Sequence, residues 1–173
     1  SPLDQINRDT VSELGEVWRL PLPPGNNNPT PLIHDGVMFF YTFPDTVLAI
    51  DAGAGTVLWR YTYVSSIPST RKMGIALHEN KIIVPTSDMR MLALNAQTGE
   101  LIWNQPIDTQ LEVVRDFAAY DLRAAPLIAG DKIIQGVVGS FVSTGAFIVA
   151  LDAETGEEAW RFQTLARPGE PGG

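Results

Sequence analysis

The 173-residue chain combines 45% hydrophobic with 18% charged residues, a composition typical of a folded globular protein and not of a disordered one. Its formal net charge of −8 argues against nucleic acid and anionic membrane surfaces as partners, since both attract basic patches. The absence of cysteine excludes disulfides, thiolate catalysis and cysteine-type zinc sites, and no apolar run reaches the roughly 18 residues that a membrane span needs.

The N-terminal segment, residues 1–22, lies ahead of a repeated pattern that fills most of the chain. Within it, residues 17–22 read as a strand that carries Trp18, placed like the tryptophans of the later repeats. One strand ahead of the first complete repeat predicts that it closes a ring with a distant C-terminal part of the polypeptide. We expect that part to lie beyond Gly173.

The repeated pattern is clearest at residues 150–160, ALDAETGEEAW. A strand leads into a polar turn that ends in glycine, and a return strand with a tryptophan follows. In every copy, glycine comes four positions after an acidic or amide residue, and tryptophan comes four positions after glycine. The copies are Asp51, Gly55 and Trp59, then Asn95, Gly99 and Trp103, then Asp152, Gly156 and Trp160. This spacing indicates an internal repeat, and we predict that its three tryptophans are largely buried between repeat units.

The spacing of the repeat predicts the fold. Positions 51, 95 and 152 lie 44 and then 57 residues apart, and a period in the forties built from short strands is typical of β-propeller blades. The predicted class is all-β: a propeller fragment of about three four-stranded blades plus an N-terminal closing strand, because complete rings typically have four to eight blades. We predict blade 1 at residues 30–63, blade 2 at 73–104, an insertion that permits a short helix at 105–123, blade 3 at 124–164 and a tail at 165–173.

Two features that suggest chemistry have simpler explanations. His34 and His78 fall in equivalent hairpin turns, so we interpret them as exposed turn residues and not as metal ligands or acid–base groups. Residues 53–55, Gly-Ala-Gly, form the repeat turn. A dinucleotide-binding loop would need a third glycine and a following helix.

The repeat AxDAxTGxxxW resembles the tryptophan-docking repeat of quinoprotein propellers. The opening SPLDQIN, followed by residues 11–18, resembles the start of the alcohol dehydrogenases that depend on pyrroloquinoline quinone (PQQ). Thr-Pro-Leu at residues 30–32 resembles their first blade, and residues 150–164 resemble their third. The resemblance implies an eight-bladed ring in the periplasm that holds PQQ with a calcium or lanthanide ion on its central axis.

The resemblance also implies where the cofactor positions fall, and most of them are substituted. The family's glutamate that contacts PQQ corresponds to Asn28, its cofactor-facing arginine to Met73, and its threonine before Ala-Pro to Arg123. Its adjacent cysteine pair falls at Ile67-Pro68. Its Ser-Gly-Ala-Glu cluster, whose glutamate ligates the metal, falls at residues 138–141. The residues that the resemblance places around the central opening are Asn28, Met73, Arg123, Val138, Gly139 and Ser140.

These substitutions have chemical consequences. PQQ carries several carboxylates, so its site needs cations and hydrogen-bond donors, and Met73 removes a charge. Phe141 cannot supply the oxygen ligand that a hard metal requires, so we assign no metal ligand in this chain. Arg123 adds a charge that could meet a carboxylate. The family's catalytic aspartate would lie beyond Gly173, so the catalytic residues of this protein are unknown.

Two interpretations follow from the sequence. One is part of a periplasmic quinoprotein dehydrogenase that oxidises a small alcohol or related hydroxyl substrate with a remodelled PQQ pocket. The other is a propeller without cofactor that serves as a binding or assembly scaffold. Both need a second chain that carries the remaining blades. The sequence that follows Gly173, examined for an aspartate and an asparagine that face the axis, would separate them.

Overall fold

The computed structural model describes residues 4–67, 74–107, 120–139, 145–166 and 169. Within these ranges the chain forms thirteen β-strands and one short 3-10 turn, Val11–Glu13, and contains no α-helix. The predicted all-β class is confirmed. The insertion predicted to permit a short helix falls mostly on residues 108–119, which lie outside the described residues.

The strands form three antiparallel sheets, each with four strands paired in chain order, and a short extra strand, β9, pairs with the end of β11. The first sheet, blade 1, contains β1 (Leu32–His34), β2 (Val37–Thr42), β3 (Thr46–Asp51) and β4 (Val57–Thr62). Blade 2 contains β5 (Ala76–His78), β6 (Lys81–Pro85), β7 (Arg90–Asn95) and β8 (Leu101–Pro106). Blade 3 contains β9 (Tyr120–Asp121), β10 (Leu127–Ala129), β11 (Lys132–Gly139), β12 (Phe147–Asp152) and β13 (Glu158–Gln163).

The repeated polar turn joins the third and fourth long strands of each blade. In blade 1, the Asp51 carboxylate accepts hydrogen bonds from the backbone N–H groups of Gly53 and Ala54 at 2.9 and 2.8 Å. Asn95 and Asp152 make the same pair of bonds in blades 2 and 3. A side-chain oxygen at this position satisfies backbone donors that the strands leave unpaired, which explains why the repeat accepts aspartate or asparagine.

The repeat tryptophans of blades 1 and 2, Trp59 and Trp103, contact the polar turn of the following blade. The indole N–H of Trp59 donates to the carbonyl of Ala96 at 3.0 Å, and the ring lies against Gly99. Trp18 makes the same contacts with Ala52 and Gly55, with a hydrogen bond of 2.9 Å. The N-terminal segment therefore supplies the tryptophan that a preceding blade would place against blade 1.

Apolar side chains on both faces of each inner strand hold the blades together. Phe39 of blade 1 shares a buried cluster with Ile82 and Val84 of blade 2. Ile83, on the opposite face of β6, joins a second cluster with Ile133 of blade 3. Because blade 2 is covered on both sides, both faces of β6 are buried, and Ile82 and Ile83 are each 0% exposed.

At the edges of the structure, one expectation is wrong and another stays a prediction. Trp160 is 46% exposed, whereas Trp103 is 8% exposed, because the described residues contain no fourth blade for Trp160 to contact. Residues 17–22 are not paired as a strand among the described residues, and because the partner predicted for them lies beyond Gly173, ring closure stays a prediction; Trp18 itself is docked on blade 1.

Candidate functional site

The antiparallel topology gives the sheets two ends. The hairpin end carries the turns between the first and second strands and the polar turns of the repeat. The opposite end, here called the loop end, carries the segments that precede β1, β5 and β10 and the connections that follow β2, β6 and β11. Of the six residues predicted to line the opening, Asn28, Arg123, Val138 and Gly139 are described, and they belong to the loop end. Met73, Ser140 and Phe141 lie outside the described residues.

The short strand β9 brings three of the predicted residues together. Asp121 pairs with Val138, and Tyr120 pairs with Gly139, at the loop end of β11. The guanidinium of Arg123 donates through Nε to Asp121 Oδ2 at 2.8 Å. Arg123, Val138 and Gly139 thus form one cluster around the Asp121 carboxylate, which sequence reasoning did not predict.

The charge of Arg123 is only partly compensated. Its side chain is 44% exposed while that of Asp121 is 24% exposed, and Asp121 engages Nε alone among the donors of the guanidinium. The two terminal nitrogens have no hydrogen-bond partner among the described residues. They can therefore donate hydrogen bonds to a second anionic group, and the planar guanidinium matches the geometry of a carboxylate.

Gln135, which the sequence analysis also missed, fixes the backbone beside Arg123. It is fully buried, and its side-chain amide donates to the carbonyls of Ala124 and Gly136 at 3.2 and 2.9 Å. Its position in the repeat corresponds to Phe40 in blade 1 and Val84 in blade 2, as the strand registers show. A polar residue at an otherwise apolar repeat position is the signal that could have found it.

Blades 2 and 3 approach each other closely at the loop end. Gly74 has φ +153°, and a Cβ added there would lie 2.9 Å from the Cβ of Ala125. Only glycine fits this approach. The start of β5 is thereby held against the segment that follows Arg123, and this contact fixes the relative positions of the two segments.

On the blade 1 side of the loop end, Asn27 and not Asn28 makes the structural contacts. The Asn27 side chain accepts from the Phe43 N–H at 2.9 Å and from the Thr42 hydroxyl at 2.5 Å, and it donates to the Pro23 carbonyl at 2.9 Å. Asn28 is exposed. It therefore has room to meet a ligand, but no described contact points to one.

A buried polar network ties blades 1 and 2 together at the same end. The Tyr41 hydroxyl contacts the Asp45 carboxylate and lies 2.7 Å from the Pro85 carbonyl, and the Ser87 hydroxyl donates to Asp45 at 3.0 Å. Burial, followed by the nearby Asp45 charge, holds the pKa of Tyr41 well above its ordinary value of 10.0. Tyr41 therefore remains a neutral hydrogen-bond donor at physiological pH.

Two further properties concern metals and membranes. Among the described residues, no group of three or more histidine or acidic side chains is arranged to hold a metal ion. Nor do those residues form any helix of sufficient length and apolarity to cross a bilayer.

A groove of about 680 Å³ opens at the hairpin end between blades 1 and 2. Its walls carry the aromatic rings of Phe39 and Trp59 and the carboxylates of Asp35 and Glu79. It lies at the opposite end of the sheets from the Arg123 cluster. The groove and the cluster are therefore two separate candidate sites.

Comparison with known proteins covers almost the whole chain. The family model described as "PQQ: Glucose/ethanol/alcohol dehydrogenase, beta-propeller domain" matches residues 1–171. The quinohemoprotein alcohol dehydrogenase ADH IIB of Pseudomonas putida is 36% identical over 99% of the chain, and the match covers 25% of that protein. The chain thus spans about a quarter of the length of the curated relatives it matches.

Solved structures agree with the sequence matches. The quinohemoprotein alcohol dehydrogenase of Comamonas testosteroni superposes with a TM-score of 0.82 at 31% identity, over 99% of this chain and 26% of that one. A europium-containing methanol dehydrogenase gives a TM-score of 0.78 at 26% identity, over 98% of this chain and 30% of that one. The three blades described above match part of a larger propeller in each.

Proposed function

The chain belongs to the PQQ glucose/ethanol/alcohol dehydrogenase β-propeller family, and we propose that it forms part of a quinoprotein dehydrogenase that oxidises an alcohol or related hydroxyl substrate. Because the chain spans about a quarter of its relatives, the activity belongs to the complete protein. The remaining blades are supplied by further polypeptide, in the same precursor or in a second chain. The exposed face of Trp160 supports this proposal, since a blade of the family would cover it.

The observation that carries the proposal for this chain is the Arg123 cluster. The terminal nitrogens of Arg123, which have no hydrogen-bond partner in the described part of the chain, suit a carboxylate of PQQ, and the small Gly139 beside Arg123 allows close approach to a flat ring system. Asn28, Met73, Val138 and Ser140 complete the proposed lining. When bound, the quinone supplies the group that accepts hydride from the alcohol carbon.

The chain's own residues would bind and orient the cofactor. Arg123 holds one carboxylate and shares its charge with Asp121, which keeps the guanidinium in place. Gln135 fixes the adjacent backbone through the Ala124 carbonyl, so the guanidinium starts from a rigid segment. The acid–base residues for the substrate hydroxyl would come from the rest of the protein.

The proposed pocket departs from the family at Asn28, Met73, Arg123 and Phe141. A calcium or lanthanide ion, if used, would lack one oxygen ligand of the family, because the side chain of Phe141 offers no oxygen. We propose a periplasmic location because the family resemblance implies one. Fractionation of the native host would test this location, and recovery of the protein in the cytoplasmic fraction would contradict it.

Reconstitution of the complete protein with PQQ tests the proposal. Binding should be followed by absorbance titration with and without calcium, and turnover by dye reduction with a series of primary alcohols. Saturable PQQ binding together with alcohol-dependent dye reduction is expected. If PQQ does not bind at concentrations of about 100 μM, which would correspond to weak affinity, the dehydrogenase proposal fails and the scaffold alternative is favoured.

A further inference from the structure

The two junctions between blades carry equivalent residues with different charges. Lys81 occupies the position in blade 2 that Val37 occupies in blade 1, because each begins the second strand and pairs with the residue that starts the polar turn. At the junction of blades 2 and 3, the Lys81 ammonium lies 2.6 Å from Glu154 Oε2 and 4.0 Å from Glu79 Oε2. The lysine side chain is only 11% exposed, so it fills this junction.

The junction of blades 1 and 2 lacks this cation. Val37 replaces the lysine, and Gln97 stands where Glu154 stands in the next blade, as the matching turn hydrogen bonds show. Asp35 is equivalent to Glu79, and both have a positive φ, at 47° and 51°. The 680 Å³ groove opens at this junction, and the residues that line it include no lysine or arginine.

The walls of the groove combine an apolar floor with an acidic rim. The rings of Phe39 and Trp59 lie 5.9 Å apart with an angle of 44° between their planes, and the Trp59 indole is fixed by its bond to Ala96. At the rim, Asp35 is exposed and among the described residues forms an ion pair only with the His34 imidazole, at 3.4 Å, while Glu79 Oε2 lies 4.0 Å from the Lys81 ammonium. Aromatic faces and carboxylates together favour an organic cation.

We propose that this groove binds a primary alkylammonium cation. Its alkyl chain lies along Val37, Phe39 and Trp59, and its ammonium group lies between Asp35 and Gln97, as the Lys81 side chain does one blade further along. At the equivalent junction of blades 2 and 3, the apolar stem of Lys81 is buried and its charge lies beside carboxylates. This side chain therefore indicates the size and shape of the cation that we expect in the groove. The site is independent of the quinone proposal, because the Arg123 cluster lies at the opposite end of the sheets.

The test uses n-butylammonium chloride as the probe, since it matches the side chain of lysine in length and charge. Saturation-transfer-difference NMR on the complete protein gives its dissociation constant, and neutral butyramide gives the contribution of the alkyl chain alone. Val37→Lys places an internal ammonium where the ammonium of the probe would bind, so the two compete. Val37→Met is the matched control because it adds similar bulk without charge.

Wild-type protein should bind butylammonium more tightly than butyramide, and Val37→Lys should weaken butylammonium binding by about tenfold or more, whereas Val37→Met should weaken it by less than about threefold. Asp35→Asn provides a second measure if Val37→Lys fails to fold, with an expected loss of about threefold. Equal binding of the two probes, equal loss in both Val37 variants, or no binding of butylammonium would overturn the proposal.

Discussion

Trp59 of blade 1 lies so close to Gly99 of blade 2 that a Cβ at position 99 would come within 2.7 Å of the indole ring. Gly55 meets Trp18 and Gly156 meets Trp103 in the same way. The glycine of the repeat is therefore required by two constraints at once: its positive φ and the ring of the preceding blade. Either constraint alone would exclude most side chains.

Gly99→Ala separates the two constraints. It should destabilise the complete protein by about 3 kcal/mol, since alanine suffers a strained backbone and also displaces the Trp59 ring. Gly130→Ala is the matched control, because Gly130 has φ +60° but no atom within 4 Å of its added Cβ, and it should cost about 1–2 kcal/mol. Urea unfolding measures both. Equal costs would mean that the ring contact contributes nothing.

Arg123→Ala should weaken PQQ binding by roughly one to two decades, because a charge-assisted hydrogen bond is worth about 1.5–3 kcal/mol. Arg60→Ala, which removes an exposed arginine from β4, should leave the affinity unchanged. Absorbance titration with PQQ provides the measurement. A similar affinity in wild type and Arg123→Ala would remove Arg123 from the cofactor site.

The isolated chain should not behave as a monomer of 18.9 kDa. Trp160 and Phe162 of β13 are 46 and 62% exposed, and Leu165, which follows the strand, is 56% exposed; soluble monomers rarely expose large apolar patches. Light scattering should detect association, which the double variant Trp160→Ser, Phe162→Thr should reduce. A stable, soluble monomer of the unmodified chain would refute this prediction.

The polar turn of blade 3 should make the stability of the protein depend on pH in the acid range. The backbone N–H groups of Thr155 and Glu154, and then Lys132, hold the pKa of Asp152 below its ordinary value of 3.8. A lowered pKa in the folded state stabilises the fold above the ordinary value, and this contribution is lost as the pH falls through the lowered value.

Asp152→Ala should therefore lower the melting temperature at pH 6, and its difference from wild type should shrink below pH 4. Asp152→Asn keeps the turn-forming oxygen, as Asn95 does in blade 2, and should have a smaller effect at pH 6. Melting curves between pH 6 and pH 2.5 test this. A difference that stays constant over that range would exclude titration of Asp152 as its cause.

The fold could be predicted from the sequence because its strongest signal is local and repeated. The spacing of Asp51, Gly55 and Trp59 recurs in each blade, and one polar turn satisfies the same backbone groups each time. The exposure of Trp160 was mispredicted because burial depends on a neighbouring blade, and the repeat pattern does not tell whether that blade is present.

The candidate site was less accessible to sequence reasoning. The resemblance pointed to Arg123, Val138 and Gly139, and they do lie together, but the strand that joins them was missed. β9 has only two residues, and its partner β11 is not the next strand in the chain, so no local periodicity marks it. Asp121 was missed for a similar reason, since its contact with Arg123 is seen only in the folded chain, whereas Gln135 could have been found as a polar residue at an otherwise apolar repeat position.

The docking of Trp18 has a consequence for self-assembly. Interfaces in which a ring on one copy enters a socket on the next are heterologous, and they propagate into filaments when the rotation does not close. In this chain the socket at Ala52 and Gly55 is already filled from within, while Trp160 remains free. Copies of the isolated chain therefore cannot add head to tail through this socket. A contact in which β13 of one copy faces β13 of another would be isologous, and such a pairing ends at a dimer.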